Sequence, residues 1–383
     1  MKILLASSSS GSRGGGELYL LYLGQALAKR GHEVLLWASS HPRMDELAES
    51  FARFGKVVRC EYTNTYDRRF RSLASYFDRA SARRVAESWK ATGAEFVHIN
   101  KQNLEDGLDL LKAARLAGIP SLATIHLSQS AKYLRAVAAG ARDAVSRRAL
   151  EQYAGLLVTV LEQRRRDLAE FLGDAPRLRT IPNGVPLFDL SQREKWRQEK
   201  RAELGIAPDE KVVVAVGRLV PQKQPLVFLE QARKITAQRS DTRFLWVGDG
   251  ALADEWDATV AKFQLKRVER LPWQREVMPL LFAADVFLHV AEFEGLPLAI
   301  LEAMSAALPC AIAEHLLAEM PFFSPGDVLP VTADTSWAAA LDEPARLQAL
   351  GQWVRRLAEE QFSFDAMAAN YETFYRETLD PRR

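Results

Sequence analysis

The sequence contains only two cysteines, Cys60 and Cys310, one in each half and far apart. Two isolated thiols cannot staple a fold, so a disulfide framework is excluded and a reducing, cytoplasmic setting is expected. No run of about 18 apolar residues occurs, which removes a membrane-spanning helix. The opening run 1–6 breaks into serines too early for a signal-peptide core and reads as a first buried strand. There is no Asp-x-Asp triplet, so no dedicated metal site is evident, and neither cysteine sits in a metal-like cluster. Internal repeats and low-complexity tracts are missing too.

What is present is an ordinary globular composition, 48% hydrophobic and 26% charged, over 383 residues. That length exceeds one core and suits two α/β domains of roughly 180 residues each. Short apolar runs alternate with helix-length amphipathic stretches, the pattern of parallel sheets covered by helices. Strands are expected near 2–6, 33–37, 57–61, 96–99, 122–125, 156–160 and 178–181, then near 211–216, 243–247, 267–270, 285–290 and 309–313. The turn-forming cluster 182–186 divides an amino-terminal domain, 1–182, from a second domain, 187–363, and leaves a carboxy-terminal helical segment, 364–383. The net charge of +2 conceals an asymmetry: 28 Lys and Arg against 19 Asp and Glu up to residue 182, but 23 against 30 beyond it. A basic first half and an acidic second half imply different partners.

Ligands in open parallel sheets bind beyond the carboxyl ends of strands, and the unusual residues fall there. Residues 285–290 are followed by Ala291-Glu-Phe-Glu-Gly-Leu-Pro297 and an apolar helix carrying Glu302. Gly295 allows a tight turn, and Pro297 suits a first helical position. A carboxylate buried in that helix needs partners, which paired ribose hydroxyls would supply; the alternative is a wet helix edge. Arg218 and Lys223 follow the 211–216 strand as two cations suited to a diphosphate, or as solvated surface charges. Gly14-Gly15-Gly16 follow the first strand, where backbone N–H groups can approach a phosphate or sugar. A nicotinamide site does not fit, because the Gly-x-Gly-x-x-Gly spacing is missing and the second strand lacks an acidic ribose ligand. His126 ends the 122–125 strand, and His289 inside its strand reads as packing.

In chain order, Gly14-Gly-Gly-Glu17, Arg30-Gly-His-Glu-Val34, Ile181-Pro-Asn-Gly-Val185, Val216-Gly-Arg-Leu219 with Lys223, Val247-Gly-Asp-Gly250 and the Glu294/Glu302 pair resemble glycosyltransferase family 4. The resemblance implies two facing Rossmann-like domains of GT-B type with an inter-domain cleft, the last helix returning to the first domain. It implies transfer of a hexose-like sugar from a nucleoside-diphosphate donor of UDP or GDP type to an acceptor hydroxyl, with retention and without a metal or other cofactor. Arg218 and Lys223 would hold the donor phosphate, Glu302 the ribose, and Glu294 with Phe293, Gly295 and Leu296 the sugar. His126 would contact the hexose, Gly15, Gly16 and Gly217 would line the donor, and Gly248 and Arg270 would lie near the nucleoside, where Trp273 could stack. Ala307 stands where the family commonly has glycine, while Gly155, Leu161 and Pro186 replace frequent polar residues. Two rival activities share this frame: a nucleotide-sugar 2-epimerase and a non-catalytic nucleotide-sugar binder.

The acceptor side is read from Glu17 and from the basic stretch carrying Arg68, Arg69 and Arg71. On one continuous helix Phe70, Leu73, Phe77 and Ala80 would share a face with the arginines mainly off it. That helix either packs on its own sheet or meets an anionic membrane or lipid-linked acceptor from the inner, cytoplasmic face. Synthesis of cell-surface glycan or glycolipid is the expected setting, with no nucleic-acid partner.

Overall fold

The computed structural model describes all residues except 10, 12, 174–176 and 380–383, so the last four positions of the 364–383 segment lie outside the description. Contacts divide the chain into one unit of Met1–Gly184 with Phe364–Arg383 and a second of Val185–Ser363.

The first unit is built on seven parallel strands: β1 Lys2–Ser7, β2 Glu33–Ser39, β3 Lys56–Cys60, β4 Phe96–Asn103, β5 Ser121–Leu127, β6 Leu156–Thr159 and β7 Leu178–Thr180. Their order is β3-β2-β1-β4-β5-β6-β7, so the winding reverses between β1 and β4. Central β1 pairs on both sides, Leu4 facing Leu35 and Val97, and helices cover both faces. A strand enclosed in that way must be apolar along its buried middle, as residues 3–6 of β1 are. The helix Phe364–Leu379 belongs to this unit and buries Phe364, Met367, Ala368, Tyr371 and Tyr375, a helical stripe. Its polar tips are satisfied: His98 Nδ1 lies 2.6 Å from Tyr375 Oη, Thr124 Oγ1 lies 2.9 Å from Tyr371 Oη, and Arg30 Nε donates to Glu372 at 2.8 Å.

The second unit repeats the plan with β8 Lys211–Val216, β9 Thr242–Val247, β10 Val268–Leu271, β11 Val286–His289, β12 Cys310–Ala313 and β13 Leu329–Val331, in the order β10-β9-β8-β11-β12-β13. Here the winding reverses between β8 and β11. Every expected strand is present, and β13 is the addition. It is three residues long with proline at its centre, a composition tolerated because β13 is an edge strand. Among the described residues no helix is long and apolar enough to cross a membrane.

Two local expectations need correction. Pro297 is the residue before the helix Leu298–Ser305 rather than its first member. The continuous amphipathic helix expected around Phe70 and Phe77 is broken into a 3-10 turn, Thr65–Asp67, and two helices, Arg71–Phe77 and Arg79–Thr92. Asp78 causes the second break, since its carboxylate accepts from Ser81 N at 2.8 Å and caps a new helix. The shared apolar face is lost, leaving Phe70 62% and Phe77 70% exposed.

The substitution at Ala307 also acquires a reason. After the helix Leu298–Ser305, Leu308 N donates to Ala303 O and Ala307 N to Met304 O, the double bond pattern that ends a helix through one left-handed residue. Ala307 is that residue, with φ of 52°. Glycine would remove the Cβ strain, partly offset by its looser unfolded chain. Ala307→Gly is therefore expected to raise stability by about 0.5–1 kcal/mol, read as a higher urea midpoint.

Candidate functional site

The order of the second sheet reverses between β8 and β11, and the loops leaving these two strands lie beyond the strand ends, where open parallel sheets bind ligands. The first loop carries Gly217, Arg218 and Lys223; the second carries Phe293, Glu294, Gly295 and Leu296. Polar contacts stitch them together. Glu292 N donates to Gln222 O at 2.8 Å, Gln222 Nε2 donates to Phe293 O at 3.1 Å, and Lys223 Nζ donates to Glu294 Oε1. His315 holds the second loop from below, its Nε2 lying 2.9 Å from Ala291 O.

Glu294 is buried, and burial alone would raise its pKa. Lys223 and His289, whose Nε2 lies 3.3 Å from the same oxygen, outweigh that effect and bring the carboxyl down to about 2. Burial lowers the His289 pKa despite Glu294, so near neutral pH the imidazole is uncharged. Lys223 and Glu294 therefore cancel one another. Arg218 is exposed and makes no ion pair among the described residues, which leaves it as the net positive charge of the loop.

Gly248 follows β9 with φ of 135°, and a Cβ there would stand 2.3 Å from Gly217 O. No other residue fits, so the β8 and β9 loops meet in backbone contact. Arg270 is already engaged by carboxylates, Asp257 at 3.1 Å and Asp249 at 3.5 Å, and Asp249 also accepts from Trp273 N. Glu302 is 5% exposed within its apolar helix, a buried position rather than a wet edge.

In the first unit, Gly14 precedes the helix Gly15–Lys29 at the carboxyl end of β1. Asn100, on β4 across the reversal, donates from Nδ2 to Gly16 O at 3.1 Å and faces His126 Nε2 through Oδ1 at 2.7 Å. Because the amide nitrogen is committed to Gly16, the amide oxygen accepts, so the imidazole proton sits on Nε2 and Nδ1 is an acceptor. Burial lowers the His126 pKa to about 4, and Tyr19 packs edge-on against its ring at 4.7 Å. Glu17 is buried beside Gln102, whose Nε2 also donates to Ser9 Oγ at 3.0 Å. Arg69 and Arg71 are exposed. Arg68 is not: it pairs with Asp109 at 2.7 Å and Asp78 at 2.9 Å and is 8% exposed, so it leaves the expected basic face. Asp109 has no exposure at all, and the attraction of a buried carboxylate draws the guanidinium inward.

Residues 13–187 match the family described as Glycosyltransferase Family 4, and residues 210–340 match that described as Glycosyl transferases group 1. The chain belongs to the family 4-like glycosyltransferases. It is 34% identical to the Escherichia coli UDP-Gal:alpha-D-GlcNAc-diphosphoundecaprenol alpha-1,3-galactosyltransferase over 214 residues. That match spans about half of each protein, 52% of this chain and 53% of the other. Similarity to a D-inositol 3-phosphate glycosyltransferase of Kineococcus radiotolerans runs further, at 26% identity over 99% of this chain and 94% of that one. The structure of Anabaena HepE in complex with UDP and glucose has a TM-score of 0.78 at 18% identity, covering 98% of this chain and 99% of the other. The fold is thus the GT-B pair of Rossmann-like domains.

In this family 4-like glycosyltransferase, the sequence reads His289 as packing and leaves Gln222 and Asn100 unmarked, yet all three hold the selected residues. One signal was available. The polar run Asn100-Lys101-Gln102-Asn103 closes β4 at its carboxyl end, where ligand-side residues gather.

Proposed function

We propose that this chain moves a hexose-like sugar from a UDP- or GDP-type donor to an acceptor hydroxyl, with retention and without a metal ion. The observation that carries the reading is Arg218, an exposed and unpaired guanidinium in the loop that also presents the Lys223–Glu294 pair. Arg218 would stabilise charge growing on the departing diphosphate, with the remaining N–H groups of Lys223 beside it. Glu294, ionised throughout the neutral range, can only accept hydrogen bonds; Oε1 is taken by Lys223, so Oε2 is suited to a sugar hydroxyl. His126, neutral and with Nδ1 accepting, suits another hydroxyl. Gly15, Gly16, Gly217 and Gly248 would let donor or sugar approach the backbone.

In the retaining step the acceptor oxygen bonds to the anomeric carbon as that carbon's bond to the diphosphate oxygen breaks. The acceptor proton passes to the departing phosphate oxygen on the same face, so no covalent carboxylate intermediate is needed.

The Escherichia coli relative is described as acting on a diphosphoundecaprenol-linked acceptor, and the basic first half of this chain favours an anionic, lipid-linked acceptor in the same way. Peripheral contact with an anionic membrane through Arg69, Arg71, Phe70 and Phe77 belongs to that reading.

A thermal-shift screen across UDP-, GDP-, ADP- and TDP-sugars tests the donor, because a ligand at 100 times its dissociation constant adds about 2.7 kcal/mol of stability. Transfer with the selected donor is expected to survive EDTA; magnesium-reversible loss would reject the metal-free step. Glu302→Ala is expected to weaken the donor by about 1–3 kcal/mol in calorimetry, the scale of an unsatisfied polar partner. Unchanged affinity in a folded variant would remove Glu302 from the ribose.

A further inference from the structure

We propose that the first unit carries a second anion site, a basic cavity that takes a phosphate-bearing ligand. The cavity measures about 380 Å³ and is lined by Arg79, Arg83, Lys112, Arg115 and Arg148, with no Asp or Glu in its wall. All four arginines are exposed and make no ion pair among the described residues. Elsewhere in this unit arginines do find carboxylates, as Arg43, Arg59, Arg68 and Arg142 show. Five cations around one hollow repel one another, and their convergence without a counter-charge favours an anion between them.

Lys112 shows the same imbalance. It is held in place by donating to Tyr76 O, with its ammonium 3.7 Å from the Tyr76 ring centre. Burial lowers its pKa first, and then Arg79 and Arg115; the opposing carboxylate, Asp109, is already committed to Arg68. At the rim, Phe77 and Leu116 are 70% and 45% exposed, offering apolar contact to a ligand that continues beyond its phosphate.

Part of the cavity wall lies away from the Gly14–Gly16 and His126 region. The helix Leu108–Ala117 runs back from the carboxyl end of β4 toward the start of β5, and Arg115 and Leu116 occupy its last turn. They lie at the opposite end of the sheet from the loops that leave β1 and β5. Nothing in this assignment depends on the donor reading.

The phosphate can belong to a free diphosphate or to a lipid headgroup, and two probes distinguish them. Inorganic pyrophosphate is titrated calorimetrically at low ionic strength into the full chain carrying Arg218→Ala, which weakens the other anion-binding loop. The same protein with Arg79→Ser and Arg115→Ser is titrated alongside and sedimented with phosphatidylglycerol or phosphatidylcholine vesicles. The two substitutions are expected to weaken binding roughly tenfold or more. That loss with pyrophosphate assigns the cavity to a phosphate group as such; loss only with phosphatidylglycerol vesicles assigns it to a headgroup. Failure of both probes to bind, or binding unchanged by the substitutions, overturns the proposal. Both positions are exposed and unpaired, so the variant is expected to keep its fold, with circular dichroism as the check.

Discussion

Arg218→Ala is expected to lower kcat by about 100- to 1,000-fold while the donor KM changes far less and stability stays within about 0.5 kcal/mol. A cation that meets charge growing on a leaving group acts mainly in the transition state, which places its loss in kcat. The stability half of the prediction comes from the structure, where Arg218 is exposed and pairs with nothing among the described residues. Lys223→Ala should behave differently. It removes a cation and also strands the buried Glu294 carboxylate, so kcat and stability fall together. Steady-state kinetics beside urea unfolding for the two variants separates these roles. An Arg218→Ala protein with unchanged kcat would reject the leaving-group assignment.

Arg68→Ala is expected to cost about 3–5 kcal/mol of stability, whereas Arg69→Ala and Arg71→Ala cost within about 0.5 kcal/mol. Arg68 is the nearest cation to Asp109, which has no solvent exposure and takes further hydrogen bonds from Tyr62, Ser75 and Ser81. Close by, Arg142 Nε donates to Glu105 at 2.8 Å, and Lys101, wholly buried, has its pKa lowered to about 8 by burial against the pull of Asp106 and Asp109. Three cations and three carboxylates thus share one interior, and removing Arg68 leaves an uncompensated negative charge in it. Chemical denaturation of the three single variants reads the difference. Equal, small losses would show that Arg68 is a surface arginine after all.

The two arginine predictions also mark what residue patterns can and cannot disclose. Arg68, Arg69 and Arg71 look alike in sequence, three cations on one basic stretch. Their fates diverge because Asp109 and Asp78, one of them distant in sequence, draw in only the first. In the sequence His289 reads as packing, since an imidazole within an apolar strand commonly packs. Only the return of the β11 loop toward Lys223 sets it 3.3 Å from Glu294.

The sequence by itself determined the strands, the parallel class of both sheets and the positions just beyond strand ends where ligand-facing residues gather. Those properties follow from local periodicity: a strand enclosed on both faces must be apolar, and a turn of glycine, proline and polar residues must interrupt it. Ala307 stood out only against the family resemblance, and its left-handed backbone supplied the reason. Tertiary structure alone decided charge. Lys223 and Glu294 are 71 positions apart, and their contact turns two expected cations into one; no local pattern carries that information. The same holds for the unneutralised cavity around Lys112. The break at Asp78 is different, a local cap onto Ser81 three residues on that the sequence already carried. Coulombic interactions depend on which groups the fold brings within a few ångströms, whereas burial of an apolar strand depends mainly on its own side chains.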